Sequence, residues 1–123
     1  MKKDPRIYLA KILERIVRIE GFTPGGKKSF LADPLIQDAV IRNLEVIGEA
    51  SRRVGAEYQA AYPETPWREM AGLRNILIHD YESVNLEKIW QVVEKELPSV
   101  KGALEKILPP LDQLEREINE ENS

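Results

Sequence analysis

The sequence predicts an all-α protein, an antiparallel bundle of four to five helices. Apolar residues recur at three- and four-residue spacing along most of the chain, which is the pattern of amphipathic helices. No stretch shows the alternating pattern of a β-strand. Short breaks containing Gly and Pro separate the periodic segments, and short links of this kind favour helices that turn back on one another.

The first two helices share the same start signal. Asp4-Pro5 and Asp33-Pro34 each place a capping carboxylate directly before a proline at the first helical position. A Gly- and Pro-containing break at residues 21–26 separates them. We expect the first helix to run to about Glu20 and the second to about Val54.

A connector at residues 55–66 leads to the third helix, for which Thr65-Pro66 provides a cap and a first residue. This helix is expected to end between residues 79 and 81. Trp67 begins it, and Trp90 falls in the next helix. Both indoles are interpreted as core or interface anchors rather than as platforms for stacking bases.

The fourth helix is predicted to begin after Asn85, to be kinked or restarted by Pro98, and to end at Pro109-Pro110. The last fifteen residues carry a net charge of about −4, which leaves the rest of the chain near neutral. We therefore divide the chain into a helical domain at residues 1–108 and an acidic C-terminal tail at residues 109–123. The tail either forms a last amphipathic turn or stays loose.

Composition excludes several kinds of chemistry. The chain contains no cysteine and one histidine, so a disulfide, a thiol nucleophile or a transition-metal site is not expected, and neither is a cofactor. No export signal and no apolar run of membrane-spanning length is present. We expect a cytoplasmic protein that does not associate with membranes. With a net charge of −3, any nucleic-acid contact would need a local basic patch.

The most informative stretch is Arg74-Asn75-Ile76-Leu77-Ile78-His79-Asp80-Tyr81, which contains the only histidine. Imidazole exchanges protons near neutral pH, and guanidinium binds phosphate in a bidentate manner. Together they suggest chemistry on a phosphodiester. Asn75 and His79 are four residues apart and share a helix face, so the amide can fix the tautomer of the imidazole.

Arg74 and His79 do not converge easily within one chain. They are five residues apart, which separates them by about 140° around an ideal helix. Two copies of this helix across a two-fold axis could bring both groups around one groove. Structural alternatives remain open: His79 can be a helix cap, Arg74 can pair with Glu49 or Glu69, and Tyr81 can be a packing residue.

The motif and its surroundings resemble the HEPN-domain ribonuclease toxins of the HepT type. The signature is Arg-x4-His-x-Tyr with Asn directly after the Arg, and the resemblance covers roughly residues 4–108. Outside the motif it rests on Phe30-Leu31-Ala32-Asp33, Gln37-Asp38-Ala39-Val40-Ile41-Arg42-Asn43-Leu44, Ile47-Gly48-Glu49-Ala50, Tyr62-Pro63-Glu64-Thr65-Pro66-Trp67-Arg68, Asn85-Leu86 and Trp90.

The resemblance implies a HEPN-like homodimer with a composite cleft and a metal-independent endoribonuclease toxin of a type VII-like toxin–antitoxin pair. His79 would act as general acid or base, Arg74 would neutralise phosphoryl charge, and Asn75 would orient His79 or the phosphate. Attack by the RNA 2′-hydroxyl would give a 2′,3′-cyclic phosphate. The implied partner is an MntA-like nucleotidyltransferase antitoxin, which would transfer AMP to Tyr81.

Further RNA contacts would come from basic residues outside the motif. The alternative for each is an ordinary solvated surface charge. Two other functions remain open: a non-catalytic helical module that docks and regulates a minimal nucleotidyltransferase, and a purely structural helical dimer. The RNA-binding candidates are Arg42, Arg52, Arg53, Lys27 and Lys28, with Arg68 as a further basic residue.

Overall fold

The computed structural model describes residues 4–79 and 85–121, and of residues 74–79, 111 and 121 it describes the backbone only. Every regular element in these ranges is helical, so the prediction of an all-α bundle is confirmed. None of these helices is long and apolar enough to cross a membrane. The elements are α1 (Pro5–Phe22), α2 (Gly26–Ala32), α3 (Pro34–Arg53), α4 (Ala56–Ala61), α5 (Trp67–His79), α6 (Leu86–Gln91), a π-helical segment (Val92–Glu96), α7 (Leu97–Ile107) and α8 (Leu111–Glu121).

The two Asp-Pro signals start helices as predicted. The Asp4 carboxylate accepts a hydrogen bond of 2.9 Å from the backbone N–H of Arg6 at the start of α1. At the start of α3, Asp33 accepts one of 2.9 Å from Leu35. Each carboxylate thereby satisfies one of the backbone donors that a helix leaves unpaired at its N-terminus.

A short helix, which was not predicted, lies between the break expected at residues 21–26 and the second long helix. α2 spans Gly26–Ala32 and buries Phe30 completely. The Phe30 ring packs against the Trp90 ring with a centroid distance of 5.5 Å. Gln37 on α3 donates to the carbonyl oxygens of Phe30 and Leu31 at 3.0 and 3.1 Å. Seven residues are too few to show a helical period, so α2 was not predicted.

Much of the core lies between α1, α3 and α5. α3 is the central helix, since it packs against both α1 and α5. The buried side chains follow the helical period on each of the three, as an amphipathic bundle requires. The most deeply buried are Leu9, Ile12, Ile16 and Ile19 on α1, Val40, Leu44 and Ile47 on α3, and Met70 and Leu73 on α5.

Both tryptophans are core residues, as predicted. Trp67 and Trp90 are 9% and 8% exposed. The indole N–H of Trp67 donates to the Tyr62 carbonyl at 2.9 Å, and that of Trp90 donates to the Glu94 carboxylate at 2.7 Å. Each ring therefore buries its apolar body while its polar edge stays satisfied, which is the usual arrangement for a buried indole.

The effect of Pro98 is a local widening of the helix. Pro98 is the second residue of α7, and it has no N–H to donate to the preceding turn. Immediately before α7, Val92–Glu96 forms a π-helical segment, and the N–H of Leu97 bonds the Val92 carbonyl five residues back. The extra residue in this turn gives the proline ring room within a continuous helix.

The C-terminal segment forms a helix that packs against α1. Leu114 of α8 is 1% exposed, and Ile118 packs against the core beside it. Arg6 bonds Glu117 at 2.8 Å. Of the two alternatives that the sequence left open for these residues, a helical segment is the one found. The division of the chain at residue 108 stays a prediction.

Candidate functional site

The motif occupies the C-terminal half of α5, and the N-terminal half fixes its orientation. The helix begins at Trp67, one residue later than predicted, and the N–H of Met70 bonds the carbonyl of Pro66 at 3.1 Å. Met70 and Leu73 are 0% and 3% exposed, so they anchor one face of α5 in the core. Because the helix continues through His79, this anchored half sets the register of the motif.

Two motif positions lie on the side of α5 that faces away from the core. At about 100° per residue, Asn75 and His79 each lie at least 120° around the axis from both Met70 and Leu73. They are one turn apart on the same side of the continuous helix. The register therefore permits the contact between amide and imidazole that the sequence predicts.

Arg74 occupies a different position around α5. It follows Leu73 by one residue and Met70 by four, which places its Cα on the core side of the helix. The side chains of Arg74, Asn75 and His79, and the whole of Tyr81, lie outside the described residues. The roles assigned to these four residues therefore stay predictions.

The predicted RNA-binding residues of α3 belong to a charge-paired face. Arg42 pairs with Glu45 at 3.4 Å, and Arg53 pairs with Glu49 at 3.3 Å. These four residues follow one another at spacings of three and four, so they share one side of α3. Two arginines and two glutamates balance along this side, which makes it close to neutral rather than basic. Arg52 lies beside it and is exposed.

The two lysines of α2 differ in their surroundings. Lys27 pairs with Glu87 of α6 at 2.8 Å, and the hydrogen bond that the Lys27 ammonium donates to this carboxylate raises the pKa of the ammonium. Both side chains of this pair are about half exposed, so the pair contributes little to stability and can exchange partners. Lys28 is exposed next to it.

A polar pair between α1 and α3 was not predicted. Arg15 donates to the Asn43 side-chain oxygen at 3.3 Å, and the Asn43 amide donates to the Ala39 carbonyl at 2.7 Å. Asn43 is 5% exposed and interrupts the apolar face of α3. That interruption was the only signal in the sequence. The buried Nε of Arg15 has no hydrogen-bond partner among the described residues.

A metal site would need several ligands close together. Among the side chains that the structure describes, no three from His, Cys, Asp or Glu are arranged to hold an ion. A groove of about 800 Å³ lies where the start of α1 meets the turn between α3 and α4. Its lining includes Tyr8, Arg53 and Tyr58, and it contains no residue of α5.

These features define the class of protein: a small all-α bundle of HEPN-like fold in which a core-anchored helix carries an Arg-x4-His motif toward its C-terminal end. The family described as Ribonuclease HepT-like matches residues 12–107. The chain therefore belongs to the HepT-like ribonuclease family.

Three relatives illustrate the similarity. A protein of Thermococcus cleftensis named "Probable ribonuclease HepT" is 44% identical over 108 residues, which cover 87% of this chain and 98% of the relative. The "mRNA nuclease HepT" of Shewanella oneidensis is 28% identical over 113 residues, with 72% of this chain and 84% of the relative covered.

The third relative is a Methanocaldococcus jannaschii protein whose name joins a gamma-glutamylcyclotransferase to an RNase. It is 42% identical over 114 residues, which cover 92% of this chain. The match spans 51% of the relative, so this chain corresponds to about half of that longer protein. No solved structure matches the chain significantly.

Proposed function

We propose that this protein is a metal-independent endoribonuclease toxin that cleaves RNA through Arg74 and His79. The observation that carries the proposal is membership of the HepT-like ribonuclease family over residues 12–107, a range that includes the whole of α5. The names of two relatives support RNA as the substrate, since one is named "mRNA nuclease HepT" and the other "Probable ribonuclease HepT".

The proposed reaction uses the RNA itself as the nucleophile. His79 accepts the proton of a 2′-hydroxyl, and the resulting oxyanion attacks the adjacent phosphorus atom. The bond from phosphorus to the 5′-oxygen breaks, and that oxygen takes up a proton from water, which balances the proton that His79 removed. The products are a 2′,3′-cyclic phosphate and a 5′-hydroxyl. Arg74 stabilises the charge that develops on the phosphoryl oxygens, and Asn75 orients His79.

The site is proposed to be composite, because Arg74 and His79 are about 140° apart around α5. A homodimer can place Arg74 of one subunit near His79 of the other across a two-fold axis. The pairing of the α3 arginines with carboxylates does not oppose RNA binding there. Exposed ion pairs of this kind contribute about 1 kcal/mol or less, and a phosphate can replace the carboxylate.

Control is proposed to come from a nucleotidyltransferase antitoxin that transfers AMP to Tyr81. Tyr81 follows His79 by two residues, so a phosphate attached to its phenol would introduce negative charge beside the proposed cleft. Such a group would compete with the RNA phosphate for Arg74. The protein would thus be the toxin of a type VII-like toxin–antitoxin pair.

The experiment is cleavage of single-stranded RNA in the presence of EDTA. The parent protein should cut RNA, leave 2′,3′-cyclic phosphate ends, and leave DNA of the same sequence intact, because DNA lacks the 2′-hydroxyl. His79→Ala and Arg74→Ala should abolish cleavage while melting near the parent temperature. If His79→Ala cuts as fast as the parent, the catalytic assignment is wrong and a non-catalytic docking module becomes the better interpretation.

A further inference from the structure

We propose that Arg68 binds a second RNA phosphate, a few nucleotides from the cleaved one, and that Gly72 lets the RNA backbone approach α5 between Arg68 and Asn75. This inference rests on the proposed ribonuclease function and extends its substrate-binding surface. The α5 face concerned, named here the RNA face, consists of the positions of Arg68, Gly72, Asn75 and His79.

The helical register brings these four positions into line. They follow one another at spacings of four, three and four residues within one continuous helix. At 1.5 Å per residue, Arg68 lies about 16 Å from His79 along the helix axis, and Asn75 about 6 Å. Arg68 is therefore too far away to touch the reacting phosphate, yet it lies on the path of a strand that follows α5.

The Arg68 side chain has no bonding partner within the described part of the chain. This side chain is exposed and makes no hydrogen bond or ion pair with any described residue, although Glu64 and Glu69 lie close to it in sequence. Lys27, Arg42 and Arg53 by contrast each pair with a carboxylate. Arg68 can therefore bind a phosphate without first losing a partner.

The position of Arg68 in the helix also argues for a role outside the chain. It is the second residue of α5, within the first turn. The positive end of the helix dipole makes a cation unfavourable there by roughly 0.3–1 kcal/mol. No described contact offsets this cost, whereas an anion bound at Arg68 would.

Gly72 is a second observation that favours RNA binding at this face. It lies inside α5, where a glycine is less favourable than alanine by about 1 kcal/mol. A Cβ atom built at this residue meets no other described atom within 4 Å, so packing inside the described chain does not demand a glycine. The absence of a side chain between Arg68 and Asn75 leaves the helix backbone open to close approach.

The charges on the RNA face favour a polyanion over a second copy of the chain. The four positions hold one permanent cation, one amide, one imidazole and no carboxylate. Two such faces packed against each other would bring together like charges without an acidic partner. The phosphates of a single strand supply the missing charge, and binding by exposed cations of this kind is sequence-independent.

The test measures binding separately from cleavage. In a His79→Ala background, a fluorescein-labelled single-stranded RNA is titrated at several salt concentrations and followed by anisotropy. Arg68→Gln should weaken binding roughly five-fold near 0.1 M salt and lower the slope of log K against log salt by about 0.7 to 1. Arg68→Lys should retain most of the affinity. Arg18→Gln, which removes an exposed arginine paired with Glu14 on α1, should change neither quantity.

A pair of glycine variants tests whether the RNA backbone needs the space that Gly72 leaves beside α5. Gly102 lies inside α7, is exposed, and also has no described atom within 4 Å of an added Cβ. Gly72→Gln and Gly102→Gln should each raise the melting temperature by a few degrees, because glutamine is the better helix former. RNA affinity should fall at least three-fold for Gly72→Gln and stay at the parent value for Gly102→Gln.

The outcomes separate this inference from the proposed function. In the otherwise unchanged enzyme, Arg68→Gln should raise KM and leave kcat within about two-fold of the parent. If the parent cuts RNA but Arg68→Gln binds it with the parent affinity and salt slope, Arg68 is not a substrate contact and the ribonuclease assignment stands. If Gly72→Gln converts a dimer to a monomer in light scattering, the face contacts a second copy and the inference is wrong. A parent that neither binds nor cuts RNA overturns both.

Discussion

Arg6 in the first turn of α1 bonds Glu117 in the last helix, with 2.8 Å between Nη1 and Oε2. Arg6 also bonds Asp4, the residue that caps α1, at 2.7 Å. One guanidinium thus links the start of the first helix to the last one. Beside this link, Leu114 of α8 is 1% exposed and is part of the same core as Leu9.

The first prediction is that α8 contributes to the stability of the bundle through its apolar contact. Leu114→Ala should lower the free energy of unfolding by about 2–4 kcal/mol, because it removes a fully buried side chain and leaves a cavity. The measurement is urea denaturation followed by circular dichroism. Glu117→Gln, which weakens a partly exposed ion pair, should cost about 1 kcal/mol or less.

A truncation gives the control for the domain division. If residues 109–123 were an independent tail, a chain ending at Leu108 would unfold at the same urea concentration as the full chain. We expect a clearly lower midpoint, because the truncated bundle would expose the surface that Leu114 and Ile118 cover. An unchanged midpoint, or a Leu114→Ala variant as stable as the parent, would show that α8 contributes nothing to the fold.

The long helices could be predicted because their signals are local. The Asp-Pro pairs at residues 4–5 and 33–34 each combine a capping residue and a helix-starting proline in two adjacent residues. Both pairs start a helix in the structure. α2 could not be predicted in the same way. Its seven residues are held by partners outside the helix, namely the side chain of Gln37 on the next helix and, much further along the chain, the ring of Trp90. Contacts between distant parts of the chain leave no periodic trace in the sequence.

The same distinction applies to the charged residues. The pairing of Arg42 with Glu45 and of Arg53 with Glu49 follows helical spacing, so it could have been predicted from the sequence. The pair between Lys27 and Glu87 joins α2 to α6 and depends on the fold. Helical spacing also gives the side of α5 on which each motif residue lies. It does not give the geometry of a site shared between two chains, because that geometry depends on how the second chain packs against the first.

The second prediction concerns Asn75. Asn75→Ala should lower kcat by about 10- to 100-fold, a smaller loss than that of His79→Ala, because an orienting group supports proton transfer without performing it. The pH dependence of kcat/KM should also shift, since the amide that favours one tautomer of the imidazole is gone. The measurement is initial-rate cleavage of a fluorogenic RNA between pH 5 and pH 9. A variant with the parent rate and pH profile would remove Asn75 from the site.

The third prediction concerns the composite cleft. Arg74→Ala and His79→Ala chains should each be inactive alone, and mixing them should restore part of the activity. A heterodimer contains one intact pair if Arg74 of one subunit works with His79 of the other. The measurement is RNA cleavage after the two proteins have been mixed and allowed to exchange subunits. Light scattering should give the mass of a dimer at micromolar concentration.

The control for subunit complementation carries both substitutions in one chain. Mixing this double variant with either single variant creates no intact pair, so activity should stay at background. A monodisperse monomer that cuts RNA at the full rate would contradict the composite site. It would mean that Arg74 and His79 reach the same phosphate within one chain despite their separation around α5.

The last prediction concerns Tyr81. Incubation with the cognate nucleotidyltransferase and ATP should add one or more AMP masses to the peptide that contains Tyr81, and RNase activity should fall in proportion. The attached phosphate would place negative charge beside the site of the RNA phosphate, and the nucleoside would add bulk. Tyr81→Phe removes the acceptor oxygen and keeps the ring. It should retain most of the RNase activity, because the phenol has no assigned catalytic role, and it should escape inhibition. If mass spectrometry finds AMP only on other residues, or if the partner still silences Tyr81→Phe, inhibition must come from binding of the partner over the cleft.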